Sequence, residues 1–189
     1  LIVGLSATDY VGHSTGTQGA EMCLQLLALD EALGRFFEQL DATGIDYLVM
    51  LTADHGGLDI PERAREAGTA DAARVDSALD VRRVDAALRE RFGLSARALY
   101  GEYAGGDMYV DRALAPELRR QVAEEAVRFY RAQPQVAAAF TRVEIEAAPM
   151  PSGPPDSWTL LQRARASFDA ERSGDLLVLL RPRITPIFD

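Results

Sequence analysis

The sequence predicts an α/β fold, with a core of parallel strands and flanking helices and a small α+β insertion. Two apolar runs of strand length, residues 1–6 and 46–53, lie on either side of a segment with helical periodicity. In that segment, about residues 17–43, apolar side chains recur at steps of three and four, which is typical of an amphipathic helix. Because strand–helix–strand crossovers are almost always right-handed, we expect the two strands to run parallel in one sheet.

The remaining elements are predicted from local signals. We expect an exposed excursion over residues 58–78, a helix over 79–92, a β-hairpin over 98–103 and 108–110, a helix over 116–131, a turn over 149–155, a helix over 158–168 and a buried strand over 175–180. The strand over 175–180 should join the sheet of the first two strands. This order predicts that residues 1–57 and 169–189 form parts of the α/β core, while residues 58–168 form a cap-like α+β insertion.

Composition restricts the classes of protein to which the chain can belong. The net charge is -9, which argues against a nucleic-acid-binding groove because such a groove needs a basic face. No run of about 18 apolar residues predicts a membrane segment. The single cysteine, Cys23, excludes an internal disulfide and is predicted to be a core residue of the first helix. Since the chain opens at Leu1 inside a strand-like run, we expect an internal fragment of a larger protein.

Two short acid–histidine motifs contain both histidines of the chain. Asp9 and His13 follow the first apolar run, and Asp54 and His55 follow the second. Parallel strands deliver their carboxyl ends to the same edge of a sheet, so these four side chains are predicted to cluster there. Carboxylate and imidazole are ligands that suit zinc and similar divalent ions. Taken singly, His13 could be a loop histidine and Asp54 a turn cap, but the paired occurrence favours a metal site.

The motifs carry a resemblance to a known group of enzymes. Residues 6–13 (SATDYVGH), 51–56 (LTADHG) and 172–176 (RSGDL) resemble the alkaline phosphatase superfamily. The most similar branch is that of single-subunit bacterial alkaline phosphatases with a threonine nucleophile, which are related to type I phosphodiesterases/nucleotide pyrophosphatases. The resemblance implies an alkaline-phosphatase-like core and export to the periplasm or secretion.

The resemblance also implies that the larger protein has a site with two divalent metals, usually zinc, that acts on small-molecule phosphate esters. Each half-site of this chain offers two ligands, so we expect the isolated chain to hold one ion at most, and weakly. Asp9 and His13 would hold one metal, and Asp54 and His55 the other. The chain departs from the family pattern because it has no further histidine for the last ligand position and no lysine for phosphate binding. The nucleophile is expected upstream, so no catalytic residue is assigned in this chain, and the isolated chain should have little or no phosphatase activity.

Other functions stay open at this point. A nucleotide pyrophosphatase/phosphodiesterase would carry the same metal motifs, and the sequence does not separate monoesters from diesters. A cofactor-independent phosphoglycerate mutase shares the core, although the residues around Asp9 fit the phosphatase branch better. A sulfatase would lack the pair of Asp9 and His13. The chain could also be a non-catalytic module that retains the motifs, and the sequence leaves the oligomeric state open.

Overall fold

A largely helical unit, Leu1–Ala72, and an α+β unit, Ala73–Asp189, make up the chain. The structure is a computed structural model that describes residues 1–102 and 104–188. Tyr103, in the predicted hairpin, and Asp189, in the predicted core, therefore lie outside the described residues.

The first unit contains three helices: α1 (Ser6–Thr15), α2 (Ala20–Asp41) and α3 (Pro61–Glu66). The helix predicted over residues 17–43 is confirmed as α2, which packs against α1. Gly44 follows α2 with a φ of 69°, a left-handed conformation that glycine adopts without steric cost. Pro61 begins α3 at the first helical position, where its missing N–H leaves no backbone acceptor unpaired.

The strands predicted over residues 1–6 and 46–53 are wrong as elements of this structure. Neither run belongs to a strand, and Ser6 already begins α1. A strand needs neighbours for its backbone N–H and C=O groups, and none of the described residues pairs with either run. Leu48 and Met50 are accordingly 90% and 86% exposed. Both runs have strand-like sequences, but they lack the neighbouring strands and the burial that strand formation requires.

The prediction that Cys23 is a core residue is also wrong. Cys23 is exposed on α2, and Met22 is the one residue of that helix that is fully buried. Leu24 and Leu27, on the same helix, are more than half exposed. The helix predicted from this periodicity is confirmed, but the described residues of the first unit cover only a small part of its apolar surface.

The described residues of the second unit form two sheets and four α-helices. Its strands are β1 (Ala73–Arg74), β2 (Leu99–Tyr100), β3 (Gly106–Val110), β4 (Val136–Thr141), β5 (Leu176–Leu180) and β6 (Ile184–Thr185), and its helices are α4 (Val81–Phe92), α5 (Pro116–Arg131), α6 (Arg142–Ala147) and α7 (Leu160–Ser167). β1 and β6 form a parallel pair, and the other strands form a sheet in the order β2-β3-β5-β4. Short 3-10 turns occur at Ser77–Leu79 and Pro155–Ser157.

Most local predictions in this unit are confirmed. The predicted helix over 116–131 is α5, with Pro116 at its first position, and the hairpin is the antiparallel pair of β2 and β3. The strand predicted over 175–180 is β5, but it pairs antiparallel with both β3 and β4. Its predicted place in a sheet with residues 1–6 and 46–53 is therefore wrong, while the division into core and cap remains a prediction.

The core of the second unit lies between α4, α5 and the four-stranded sheet. Val84 and Leu88 of α4 and Val122 of α5 are buried there. The Tyr130 ring is fully buried, and its hydroxyl donates a hydrogen bond to the Leu79 carbonyl over 3.2 Å, which satisfies the one polar atom of the ring. No helix among the described residues is long and apolar enough to cross a membrane.

Candidate metal centre

Helix α1 places Asp9 and His13 on the same side of the first unit. The two residues are four positions apart, which brings their side chains together on an α-helix. The His13 Nε2 lies 3.3 Å from the Asp9 Oδ1. The apolar run before Asp9 predicted a strand followed by a loop; in the structure Asp9 lies on a helix, and the spacing of four residues brings it to His13.

The second histidine reaches the same carboxylate from a segment without regular secondary structure. His55 lies between α2 and α3, and its Nε2 is 3.4 Å from the Asp9 Oδ1. The rings of His13 and His55 have centroids 5.9 Å apart and meet edge to face. One carboxylate oxygen therefore lies within reach of both imidazoles of the chain.

Asp54 is beside this cluster but outside it. Its Oδ2 lies 3.8 Å from the His55 Nε2, and its Oδ1 accepts a hydrogen bond from the His55 backbone N–H over 3.0 Å. The side chain is 89% exposed. Asp9, His13 and His55 each offer one ligand atom within 4.8 Å of the others, and Asp54 does not share this arrangement. The structure thus gathers three of the four predicted ligands and leaves the fourth adjacent.

The surroundings of His55 determine which of its nitrogens faces Asp9. The Nδ1 lies 2.8 Å from the Gly56 carbonyl oxygen, so this nitrogen carries the proton and donates to it. The same hydrogen bond, followed by the negative charges of Asp54 and Asp9, raises the pKa of the imidazole, although desolvation opposes the rise. The Nε2 is then the nitrogen directed toward Asp9, which is the orientation that a metal-binding histidine needs.

The donor set fits a zinc-like ion. With Zn–N and Zn–O distances of about 2.0–2.2 Å, neighbouring ligand atoms of a tetrahedral ion lie about 3.3–3.5 Å apart. The separations of the Asp9 Oδ1 from the two Nε2 atoms are 3.3 and 3.4 Å. Two imidazoles and one carboxylate also match the ligand types of catalytic zinc sites, which keep a further position open. All three residues are exposed, so that position faces solvent.

A buried carboxylate that the sequence analysis missed ties the His55 segment to the loop after α1. The Asp59 side chain is 7% exposed, and its Oδ1 accepts hydrogen bonds from the backbone N–H groups of Thr17 and Gln18 and from the Arg63 Nη1. Asp59 and Arg63 are four residues apart at the start of α3, next to Pro61. The spacing of four residues could have indicated the ion pair between Asp59 and Arg63, but a sequence does not show that Asp59 also binds the backbone of Thr17 and Gln18.

The fold of this chain is similar to that of a solved alkaline phosphatase. Compared with solved structures, the chain matches the crystal structure of wild-type alkaline phosphatase PafA with a TM-score of 0.73 and 26% sequence identity. The match covers 94% of this chain and 33% of that chain. The α/β fold class and the alkaline-phosphatase-like architecture predicted from the sequence are thereby confirmed.

The chain belongs to the type I phosphodiesterase/nucleotide pyrophosphatase family, whose sequence model matches residues 1–189. It is 51% identical over 188 residues to alkaline phosphatase PhoK of Sphingomonas sp, and 47% identical over 189 residues to alkaline phosphatase PhoD of Zymomonas mobilis. Each match covers 99% of this chain and 34% or 33% of the relative. The chain therefore spans about a third of the length of these relatives, and the resemblance stated from its motifs is confirmed.

Proposed function

We propose that this chain is the metal-binding part of a phosphoester hydrolase of the alkaline phosphatase type. The observation that carries the proposal is the cluster of Asp9, His13 and His55, whose ligand atoms lie within 4.8 Å of one another. Family membership and the names of the relatives support the same reaction class. The substrates proposed are small-molecule phosphate esters, and the proposed location, by resemblance, is the periplasm or the exterior of the cell.

The proposed centre holds two divalent metals, with zinc as the favoured ion. Asp9 and His13 would provide ligands for one metal, and Asp54 and His55 for the other. The His55 Nε2 is 3.4 Å from Asp9 and 3.8 Å from Asp54, so the two acid–histidine pairs lie side by side, as two neighbouring metal positions require. Divalent ions at such a site supply Lewis-acid stabilisation of a phosphoryl oxygen and activation of a nucleophile.

The residues of this chain provide metal ligands and no assigned nucleophile. The His55 Nδ1–H bond to Gly56 would orient the ring and keep its Nε2 available as a ligand beside Asp9. We therefore expect the isolated chain to bind zinc weakly, at most one ion, and to have little or no phosphatase activity. Residues 58–168 are proposed to act as a cap that shapes substrate access.

Zinc binding by the isolated chain provides the first test. Zinc affinity is measured by competition with a chromophoric chelator, for the unchanged chain and for Asp9→Ala and His55→Ala. Removing one of three close ligands should weaken zinc binding at least tenfold, since few ligands remain. The matched control is Asp46→Ala, an exposed carboxylate of the same unit outside the cluster, which should leave the affinity unchanged. Equal affinities in all four proteins would contradict the metal assignment.

The activity itself is tested in a protein of the relatives' full length that contains this chain. A chromogenic phosphate monoester assay, with and without added zinc, should show turnover that Asp9→Ala and His55→Ala abolish together with metal content. Turnover unaffected by these substitutions would show that the motifs are not ligands. Robust zinc-dependent turnover by the isolated chain would show that the nucleophile lies within it.

A second candidate, a nucleotide pyrophosphatase/phosphodiesterase, is favoured by the family to which the chain belongs. The two candidates share the metal centre and differ in whether the phosphorus carries one or two ester bonds. Parallel assays with a chromogenic monoester and a chromogenic diester separate them by the ratio of kcat/KM. A full-length protein with neither activity but with zinc bound would instead support a non-catalytic module.

A further inference from the structure

We infer that Asp59, together with Arg63, is a positioning residue for the metal centre. This pair fastens the segment that carries His55 to the loop that follows α1, the helix that carries Asp9 and His13. The inference rests on the proposed function, since it names residues that support the same centre. Neither Asp59 nor Arg63 offers an atom to the candidate metal cluster.

The need for an anchor follows from how the ligands are presented. Asp9 and His13 share one helix, so helical geometry alone fixes their separation. His55 has no such support, because residues 45–60 contain no helix or strand. Its separation from Asp9 must therefore be fixed by contacts between its segment and the neighbourhood of α1. A metal centre tolerates displacements of only about 0.5 Å, so this support decides the affinity.

The contacts of Asp59 supply that support. Its Oδ1 accepts hydrogen bonds from the Thr17 N–H over 3.0 Å, the Gln18 N–H over 3.2 Å and the Arg63 Nη1 over 2.7 Å. The Arg63 Nη2 donates to the Thr15 carbonyl over 3.0 Å. Because the carboxylate is 7% exposed, water competes little for these bonds. The pair thus joins the start of α3 to three backbone groups at the end of α1 and in the loop that follows it, those of Thr15, Thr17 and Gln18.

Two glycines show how closely the segments approach each other. A Cβ on Gly16 would lie 2.3 Å from the Asp59 Oδ1, and a Cβ on Gly57 would lie 2.7 Å from the Thr17 Cγ2. Both separations are shorter than van der Waals contact allows, so the approach requires residues without side chains at these positions. This close packing restricts the movement of the His55 segment relative to the loop after α1 more than an exposed ion pair would.

The anchor is also close to the ligands along the chain. Asp59 lies four residues after His55, and Thr17 lies four residues after His13. Only short stretches of backbone therefore separate each histidine from the joined point. A stretch of four residues can span up to about 13–14 Å when it is released, so loss of the anchor lets His55 leave Asp9. Intact, the anchor holds the two imidazole rings with centroids 5.9 Å apart.

The test measures ring proximity and metal affinity in the same proteins. The full 189-residue chain is compared with Asp59→Ala and Asp59→Asn. In the metal-free chain, a nuclear Overhauser effect between the His13 and His55 rings reports their distance, and the zinc dissociation constant is measured with a competing chelator. Glu31→Ala is the matched control, because Glu31 forms an ion pair with Arg35 at the same spacing of four residues but joins no separate segments.

The expected result is graded. Asp59→Ala should lose the ring-to-ring signal and weaken zinc binding by about tenfold or more, the range found when groups that orient metal ligands are removed. Asp59→Asn should lose less, because its amide oxygen still accepts from the Thr17 and Gln18 backbones. Glu31→Ala should change neither quantity.

Two outcomes overturn the inference and one separates it from the proposed function. A folded Asp59→Ala chain with an unchanged ring signal and unchanged zinc affinity refutes the positioning role. If Asp59→Ala does not fold, Asp59→Asn decides, and unchanged values for both quantities again refute it. If the unchanged chain shows the ring signal but binds no zinc, the metal centre is wrong, while loss of the signal in the variants still supports the anchor.

Discussion

Gly16 provides a sharp test of the contact between the α1–α2 loop and Asp59. Its φ of 82° and ψ of 176° lie in a region that is almost exclusively glycine's, so an alanine there is strained by about 1–3 kcal/mol. The new Cβ would also lie 2.3 Å from the Asp59 Oδ1, and the carboxylate must move away. That movement weakens two backbone hydrogen bonds to a charged acceptor, each worth about 1.5–3 kcal/mol. If about half of that hydrogen-bond energy is lost in addition to the strain, Gly16→Ala should lower the free energy of unfolding by about 3–6 kcal/mol.

Two other glycines of the same unit separate the contributions. Gly44 has a φ of 69° and nothing within 4 Å of an added Cβ, so Gly44→Ala should lose only about 1–2 kcal/mol to backbone strain. Gly34 lies inside α2 with open space around it, so Gly34→Ala should stabilise by about 0.5–1 kcal/mol through helix propensity. Urea unfolding followed by circular dichroism measures all three. A Gly16→Ala chain no less stable than Gly44→Ala would refute the tight contact with Asp59.

Two further predictions concern the second unit. The Asp85 Oδ1 accepts buried hydrogen bonds from the Ala98 and Leu99 N–H groups, over 2.7 and 2.9 Å, so Asp85→Ala should lower the free energy of unfolding by about 3–5 kcal/mol. Asp111→Ala removes one exposed hydrogen bond, from the Ala113 N–H, and should lower it by about 1 kcal/mol or less. Equal losses for the two variants in urea unfolding would contradict this prediction. Burial raises the pKa of Glu144, but hydrogen bonds from Arg131 and Thr141 outweigh the effect of burial and hold this pKa below its usual range. The ionised carboxylate therefore stabilises the second unit above the ordinary glutamate pKa of about 4.5, and this stabilisation is lost as the pH falls through the lowered pKa. Glu144→Gln should flatten the dependence of the melting temperature on pH below about pH 4.5, and an unchanged slope would contradict the assignment.

Local signals in the sequence predicted local structure well. Helix α5 begins at Pro116 because proline suits the first helical position, and its buried residues follow the helical period. The antiparallel hairpin of β2 and β3 was likewise visible from its apolar runs and intervening glycines. Each of these features depends on residues close together in the chain, which is why a sequence alone shows them.

The errors have a common physical origin in long-range partners. The runs over residues 1–6 and 46–53 have strand composition, but strand formation depends on neighbours far along the chain, and the described residues supply none. β4 was missed because it contains three consecutive alanines, residues 137–139, which have weak strand propensity and owe their place to pairing with β5.

The convergence of the candidate ligands was predicted from the sequence, but the secondary structure that carries them was not. Asp9, His13 and His55 converge as expected, although on a helix and an irregular segment rather than at a sheet edge. The spacing of four between Asp9 and His13 was itself a helical signal, which the preceding apolar run obscured. Asp59 could not be found from the sequence, since its role depends on backbone groups more than forty residues away.

The parallel pairing of β1 with β6 has an evolutionary consequence. Ala73 lies opposite Ile184, and Arg74 lies opposite Thr185, so more than a hundred residues leave and return to neighbouring positions about 4.8 Å apart. A segment with adjoining ends can be lengthened, trimmed or transplanted from a relative while the backbone on either side stays where it is. We therefore expect the residues between these two short strands to tolerate replacement as one segment, by the corresponding segment of a relative.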